Sequence, residues 1–225
     1  MSVAPAVERV FYVGVDLGKV RDHPAVCVLQ RQRVVSPGPF NPADPDATAP
    51  VYSYGILHLE QLPLHMPYPQ ISDRAVAVCE FAAAKGRVAE LVVDLTGVGR
   101  PVYDYLRLRS ELKRLGVRVV GVNYTGGSRV NDAGDQMFNV PKKDIVAGLV
   151  VMFQTGEIRI SGRLEHAAVL QNELVNFQQK ISAAGNASYG NDGQEAKHDD
   201  LVNAAGLAAW RARVRTAGHQ DRPLL

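Results

Sequence analysis

The sequence predicts an α/β domain with a mixed central sheet flanked by helices, and three features favour this fold class. Residues 10–18, VFYVGVDLG, form an apolar run with almost no polar face, which is typical of a central strand covered on both sides. A second short apolar run, residues 89–94, also ends in a carboxylate. Between the two runs the pattern changes from strand-like alternation to helical spacing, so a helix is expected to cross over between the strands.

The composition limits the class of protein. The chain has 225 residues, 46% hydrophobic and 21% charged, as expected of one soluble globular domain spanning residues 1–225. A formal net charge of +2 is too small to indicate nucleic-acid binding by itself, and it does not oppose a polyanionic partner. Cys27 and Cys79 lie in apolar runs and are expected to be core thiols. Without a signal peptide or a long apolar stretch, we expect a cytoplasmic protein with no membrane contact.

The first half of the chain predicts a three-stranded meander followed by a helix. After the first strand, residues 25–29 predict an antiparallel partner, and residues 51–59 predict a third strand. The intervening residues 36–50 are rich in Pro, Asp and Asn and predict a loop. Residues 71–87 carry apolar residues at helical spacing behind Ser72, which is expected to cap that helix.

The second half alternates between strands and helices. In chain order the patterns predict a strand at 89–94, a helix at 101–115 closed by Gly116, a strand at 117–122, a mobile loop rich in Gly, Asn and Asp at 123–139, and helices at 142–155 and 164–177.

The C-terminal part predicts a hairpin and a final helix. A Gly-Asn pair at 185–186 predicts a hairpin turn within residues 178–191. The segment HDDLVNAAGLAAWRA predicts a helix whose first turn holds His198, Asp199 and Asp200. Acidic residues are favoured at helix starts, so simple capping explains them. The alanine-rich face of the same helix would also let it approach the sheet and bring these acids beside the strand ends.

Carboxylates from three places therefore converge in the predicted fold. Asp16 and Asp94 end strands, and the Asp199–Asp200 pair begins the last helix. Two-metal phosphodiester hydrolysis needs such a set, because Mg²⁺ and Mn²⁺ prefer oxygen ligands and two ions about 4 Å apart share carboxylates. Asp16 is the expected bridging ligand, and Asp200 is expected to bind metal directly while Asp199 supports it or caps the helix. Because aspartates are common at strand ends, a purely structural role stays open.

Other residues near these acids have competing explanations. Lys142 and Lys143 begin a helix, where the dipole disfavours cations, so they fit a DNA phosphate or the acidic cluster, or are simply solvated. His198 could assist proton transfer, bind metal or serve as a hydrogen-bonded residue beside the cap. The LTGVGR turn after Asp94 could contact phosphate or be an ordinary strand–helix turn.

Four segments, VGVDLG, LVVDLTGVG, PKKDIVAGLV and KHDDLVNAAGLA, resemble in order the nuclease domain of phage large terminase subunits. That family has a ribonuclease H-like fold related to Holliday-junction resolvases. The resemblance implies metal-dependent cleavage of double-stranded DNA during genome packaging, with two Mg²⁺ or Mn²⁺ ions held by Asp16, Asp94 and the Asp199–Asp200 pair. Asn203 stands where many members of the family have another acid.

The same resemblance implies partners. Double-stranded DNA would be contacted by basic residues, for which we select Lys19, Arg21, Arg100 and Arg129. A packaging ATPase, a small terminase subunit and a portal would act with the nuclease in the cytoplasm of the host cell. The chain contains no GxxxxGK[ST] loop, so it resembles the nuclease half without the ATPase domain.

Three other functions compete with this one. A nuclease resembling the Holliday-junction resolvases would use the same acids. A non-catalytic DNA-binding or assembly module is favoured if the acids are too dispersed to bind metal. ATPases of the sugar-kinase and actin type share the DLG and GVG turns, but they repeat the core in two domains, for which 225 residues leave no room.

Overall fold

The computed structural model describes residues 9–18, 22–34, 51–97, 99–181, 187–191 and 199–218. The strands are β1 (Arg9–Asp16), β2 (Ala25–Val34), β3 (Val51–Gln61), β4 (Arg87–Asp94), β5 (Arg118–Thr125), β6 (Asn131–Gly134), β7 (Met137–Pro141), β8 (Ile158–Ile160), β9 (Phe177–Ile181) and β10 (Ala187–Asn191). The helices are α1 (Tyr68–Ala83), α2 (Gly99–Leu108), α3 (Ser110–Arg114), α4 (Lys142–Gln154), α5 (Ala167–Asn176) and α6 (Asp200–Gly218).

Within these ranges, eight strands form one mixed sheet in the order β6-β7-β5-β4-β1-β2-β3-β8. Strands β1, β2 and β3 pair antiparallel, as the predicted meander requires. Strand β1 also pairs in parallel with β4, and β4 with β5, through the predicted helical crossover. The predicted fold class, a mixed central sheet flanked by helices, is therefore confirmed.

The two faces of β1 explain why its sequence is apolar throughout. Phe11, Val13 and Val15 pack into a core shared with α1, α2 and α3. Val10 and Tyr12 face the opposite way and pack with α4, α5 and α6. Because side chains alternate along a strand, Gly14 and Asp16 also face the α6 side.

Helix α6 lies close against this second face because its contacting residues are small. Ala204, Ala205 and Ala208 are completely buried between the helix and the sheet. A Cβ atom built on Gly14 would lie 2.0 Å from the carbonyl oxygen of Ala204, so no larger residue fits at this crossing. The predicted close approach of the last helix to the sheet is present, and it sets the acidic start of α6 beside the end of β1.

Two predicted helices differ from the structure. Ser72 lies inside α1 and does not cap it: its hydroxyl donates to the Tyr68 carbonyl, and Pro67 occupies the N-cap. The helix predicted over 101–115 is divided into α2 and α3 at Arg109, whose backbone is extended. The Arg109 guanidinium pairs with Asp73 of α1 and with Glu111, so tertiary ion pairs favour the break.

Three segments of the second half also differ from prediction. Residues 123–139, predicted to be a mobile loop, contain the end of β5 and a hairpin of β6 with β7. Strand β8 was not predicted, and it adds to the edge of the sheet beside β3. Helix α5 is shorter than the predicted 164–177.

The remaining expectations have mixed outcomes. Strands β9 and β10 form the predicted antiparallel hairpin, while its turn and the predicted loop at 36–50 lie outside the described residues. Cys27 and Cys79 are free and buried, as predicted. No helix in the described part of the chain combines the length and hydropathy needed to cross a membrane.

Candidate functional site

Asp16 and Asp94 end two neighbouring parallel strands. Val15 of β1 is in register with Val93 of β4, so the two aspartates that follow lie at the same edge of the sheet. Each carboxylate accepts a hydrogen bond from a backbone N–H two residues later, Asp16 from Gly18 at 2.9 Å and Asp94 from Thr96 at 2.7 Å. These short-range bonds fix both side chains where the chain leaves the core.

The start of α6 adds the third group of polar residues. The Asp199 carbonyl accepts the first helical bond from the Asn203 N–H, so Asp199 occupies the N-cap position. The Asn203 side-chain amide donates to Asp16 Oδ2 at 2.8 Å and to Asp199 Oδ1 at 3.3 Å. Asn203 therefore joins the strand-end carboxylate to the helix-start carboxylate.

Burial makes the carboxylates costly to ionise together. Asp16 is 6% exposed, and burial followed by the charge of Asp94 raises its pKa to about 7. Asp200 is 1% exposed, and burial followed by the charge of Asp16 raises its pKa to about 8. The Asp200 Oδ2 atom accepts from the His23 backbone N–H at 3.0 Å. Such mutual repulsion is relieved by protons or by bound cations.

Lys142 provides an internal cation at the edge of this cluster. Its Nζ donates to Asp199 Oδ2 at 2.7 Å and lies 5.6 Å from the centre of the Tyr124 ring. The Tyr124 hydroxyl is buried and has no hydrogen-bond partner among the described residues. Burial and then the charges of Asp94 and Asp16 hold the pKa of that hydroxyl well above its ordinary value.

Glu173 is a further acid that the sequence patterns do not single out. It lies on α5 and is 6% exposed. Its Oε2 accepts from the Val202 N–H at 3.0 Å. Burial raises its pKa to about 8, with a further contribution from the charge of Asp199. One signal could have identified it: α5 buries positions 167, 170 and 173, and only the last is charged.

The predicted accessory residues are distributed as follows. Lys142 reaches Asp199, and Lys143 is half-buried beside it on α4. Arg100 pairs with Asp104 one turn later on α2. Arg129 is exposed between β5 and β6. Lys19, Arg21 and His198 lie outside the described residues.

The donor chemistry suits a hard divalent cation. The described side chains of the cluster that could bind a metal offer carboxylate or amide oxygens, which Mg²⁺ and Mn²⁺ prefer as ligands. The Asn203 Oδ1 atom is buried without a hydrogen-bond partner among the described residues, as a potential ligand atom would be. In the described part of the chain, however, no three His, Cys, Asp or Glu side chains are close enough to hold one ion as they stand. The residue types suit a divalent cation, and the acidic side chains would have to move closer together to bind one.

No protein-family model matches this chain, and no curated protein matches it. Solved structures do share its fold. The large terminase nuclease of thermophilic phage G20c with bound magnesium aligns with a TM-score of 0.55 at 20% identity, over 92% of this chain and 83% of that one. The same nuclease with bound cobalt gives 0.56 at 18% identity, over 92% and 83%. The Thermus phage P74-26 large terminase nuclease domain gives 0.50 at 19% identity, over 92% and 81%.

The chain therefore has the fold of the nuclease domains of phage large terminases, as the sequence resemblance predicts. The agreement is one of fold, and the roles of the individual residues stay predictions.

Proposed function

We propose that this protein is a divalent-metal-dependent endonuclease that cleaves double-stranded DNA, as the nuclease of a large terminase does during genome packaging. One observation carries the proposal: in a terminase nuclease fold, Asp16 and Asp94 end adjacent parallel strands at the edge where α6 presents Asp199, Asp200 and Asn203. The related G20c nuclease was crystallised with magnesium and with cobalt, which supports divalent-ion dependence.

Divalent ions held by Asp16, Asp94 and Asp200 would supply Lewis-acid stabilisation of the phosphate charge and a readily deprotonated water. Asp16 is the central member, because it is bonded to Asn203 and electrostatically coupled to Asp94 and Asp200. We assign Asp16 the role of the ligand that two such ions would share.

The surrounding residues orient this set. Asn203 holds Asp16 and Asp199 together through one amide group. Lys142 balances the charge of Asp199 and would stabilise a DNA phosphate brought to the same edge. Asp199, bonded to Lys142 and Asn203, is assigned a supporting role behind Asp200.

DNA would approach this edge of the sheet, with Arg100, Arg129 and Lys143 as backbone contacts and Lys19 and Arg21 from outside the described residues. A packaging ATPase, small terminase and portal, acting together in the host cytoplasm, complete the proposal, and they follow from the terminase resemblance alone.

A non-catalytic DNA-binding or assembly module is the second candidate. It is favoured by the absence, within the described ranges, of three acids already close enough to hold one ion. The two functions differ in whether a divalent ion binds and DNA is cut, so one experiment separates them.

Supercoiled plasmid incubated with purified protein and Mn²⁺ or Mg²⁺ should be nicked and then linearised, without sequence preference. EDTA should stop the reaction, and Ca²⁺ should bind without supporting turnover because its looser coordination positions water poorly. Asp16→Asn should abolish cleavage and weaken metal binding, whereas Asp104→Asn, an exposed carboxylate on α2, should not. Cleavage that persists in EDTA would refute the metal mechanism. DNA binding without cutting under any metal would favour the assembly module.

A further inference from the structure

Helix α6 has an unusual cap. The side chain of an N-cap residue normally accepts a hydrogen bond from the backbone N–H of the second or third helical residue. Asp199 is the N-cap of α6, so these groups are the N–H of Leu201 and the N–H of Val202. The Val202 N–H donates instead to Glu173 Oε2 at 3.0 Å, and Glu173 belongs to a different helix.

Because Glu173 caps the helix, the Asp199 side chain does not have to accept a backbone N–H of its own helix. Its Oδ2 accepts from Lys142 at 2.7 Å and its Oδ1 from Asn203 at 3.3 Å. In these bonds neither oxygen accepts from a backbone N–H of α6. The carboxylate therefore faces the end of β1, where Asn203 also contacts Asp16.

The position of Glu173 is fixed by the packing of α5. The helix buries Ala167 and Leu170 on the same face as Glu173, against the core that contains Leu201 and Val202. The unoccupied oxygen, Oε1, is buried and has no hydrogen-bond partner among the described residues. A buried carboxylate with one unsatisfied oxygen is unfavourable for stability alone, which points to a role in the site.

We infer that Glu173 is a positioning residue, which caps α6 from the neighbouring helix and thereby keeps Asp199 turned toward the acidic centre. This inference rests on the proposed metal-dependent function. When Glu173 is lost, Asp199 is the nearest carboxylate able to take over the cap of its own helix. It would then leave Lys142 and Asn203, and the Asp16 side chain would lose its ordered neighbour.

The test compares three variants by Mn²⁺ titration calorimetry and by the backbone amide shifts of metal-free protein. Glu173→Ala should weaken Mn²⁺ binding by about 10-fold or more, the usual effect of losing a residue that orients metal ligands. Its amide shift should change most at Val202, which loses its bond to Glu173. Glu173→Gln keeps an acceptor oxygen and should bind Mn²⁺ closer to wild type; it also serves if the alanine variant does not fold. Leu112→Ala destabilises the core on the opposite face and should leave Mn²⁺ affinity unchanged.

The outcomes separate the inference from the function on which it rests. A folded Glu173→Ala protein with wild-type Mn²⁺ affinity, or with an unchanged Val202 amide shift, overturns the positioning role. Equal weakening in Leu112→Ala also overturns it, since general instability would then explain the loss. If wild-type protein binds no Mn²⁺, the proposed function fails, and the amide shifts alone decide whether Glu173 caps α6.

Discussion

Asp199 and Asp200 are consecutive in the sequence but have different surroundings. Asp199 is partly exposed and accepts hydrogen bonds from Lys142 and Asn203. Asp200 is almost fully buried, and burial together with the charge of Asp16 raises its pKa to about 8. A carboxylate held in this state gains most from a nearby cation, because the cation removes the repulsion that its burial intensifies.

The two aspartates are therefore expected to differ in function. Asp199→Asn should lower the initial rate of Mn²⁺-dependent cleavage by roughly 10- to 100-fold, as for residues that orient ligands, and Asp200→Asn should lower it further. Plasmid cleavage rates, with folding checked by circular dichroism, measure the difference. A folded Asp200→Asn protein that cuts at the wild-type rate contradicts the assignment, and similar losses in both variants mean that the pair shares the site.

At the scale of residues, the sequence predicts the members of the cluster better than their connections. Asp16 and Asp94 stand out because each ends an apolar run. Glu173 stands out only as the charged member of a helix face shared with positions 167 and 170, and its partner is a backbone N–H group, which leaves no trace in residue type. The bond from Asn203 to Asp16 joins positions 187 residues apart, so it depends on the packing of α6 on β1.

At the scale of elements, the contact between α6 and β1 determines where the acids meet. The ideal Cβ of Gly14 would lie 2.0 Å from the Ala204 carbonyl and 3.0 Å from the Ala208 nitrogen. Both are backbone atoms, which no side-chain rotation can move. A larger residue at position 14 must push the whole helix away from the strand.

Gly14→Ala is expected to destabilise the fold by about 1–3 kcal/mol, the usual cost of overpacking, and to abolish most cleavage because Asp200 moves away from Asp16. Gly55→Ala is the matched control, since Gly55 also lies in a strand but its Cβ would meet only atoms at 3.9 Å or beyond. Denaturant unfolding and plasmid cleavage measure the two effects. Equal stability and activity in the two variants would show that the close approach is not required.

Strand β6 carries no apolar pattern from which its sequence could predict a strand. All four residues of β6 are exposed, so no alternation marks it as a strand. Its turn uses Asp135 and Gln136 at positive φ instead of the Asn-Gly or Asp-Gly pairs that signal a hairpin. At the break between α2 and α3, Arg109 pairs with Asp73, 36 residues away. Local periodicity contains neither kind of information.

At the scale of the whole molecule, a buried ion cluster supports the opposite end of α6. Glu90 of β4 is completely buried and accepts from Arg211 of α6 at 2.6 and 3.0 Å. Arg118 of β5 donates to the same carboxylate at 2.8 Å. The Arg211 guanidinium also lies 4.8 Å from the centre of the Phe138 ring. Two guanidinium groups here pair with the one carboxylate of Glu90, whereas the cluster at the start of α6 contains an excess of acids.

That excess couples the stability of the metal-free protein to pH. Burial and the charge of Asp94 raise the pKa of Asp16 to about 7, and burial with the charge of Asp16 raises the pKa of Asp200 to about 8. In the unfolded chain both carboxyls release their protons near their ordinary pKa of 3.8. At pH values between the unfolded and the folded pKa, the folded protein therefore binds more protons than the unfolded chain. Its free energy of unfolding must fall as pH rises through this range.

Melting temperatures of EDTA-treated protein are accordingly expected to fall between about pH 5 and about pH 8, and Asp16→Asn should show a smaller fall because it lacks one of the titrating groups. Asp104→Asn, which removes an exposed carboxylate paired with Arg100, should keep the wild-type slope.

Added Mn²⁺ should raise the melting temperature most at the upper end of the range, where protons no longer compete for the carboxylates, and this gain should be lost in Asp16→Asn. Thermal unfolding followed by circular dichroism measures all three. A wild-type slope in Asp16→Asn would show that Asp16 is ionised throughout this range, and the acidic cluster would then lack the repulsion that a divalent cation is expected to relieve.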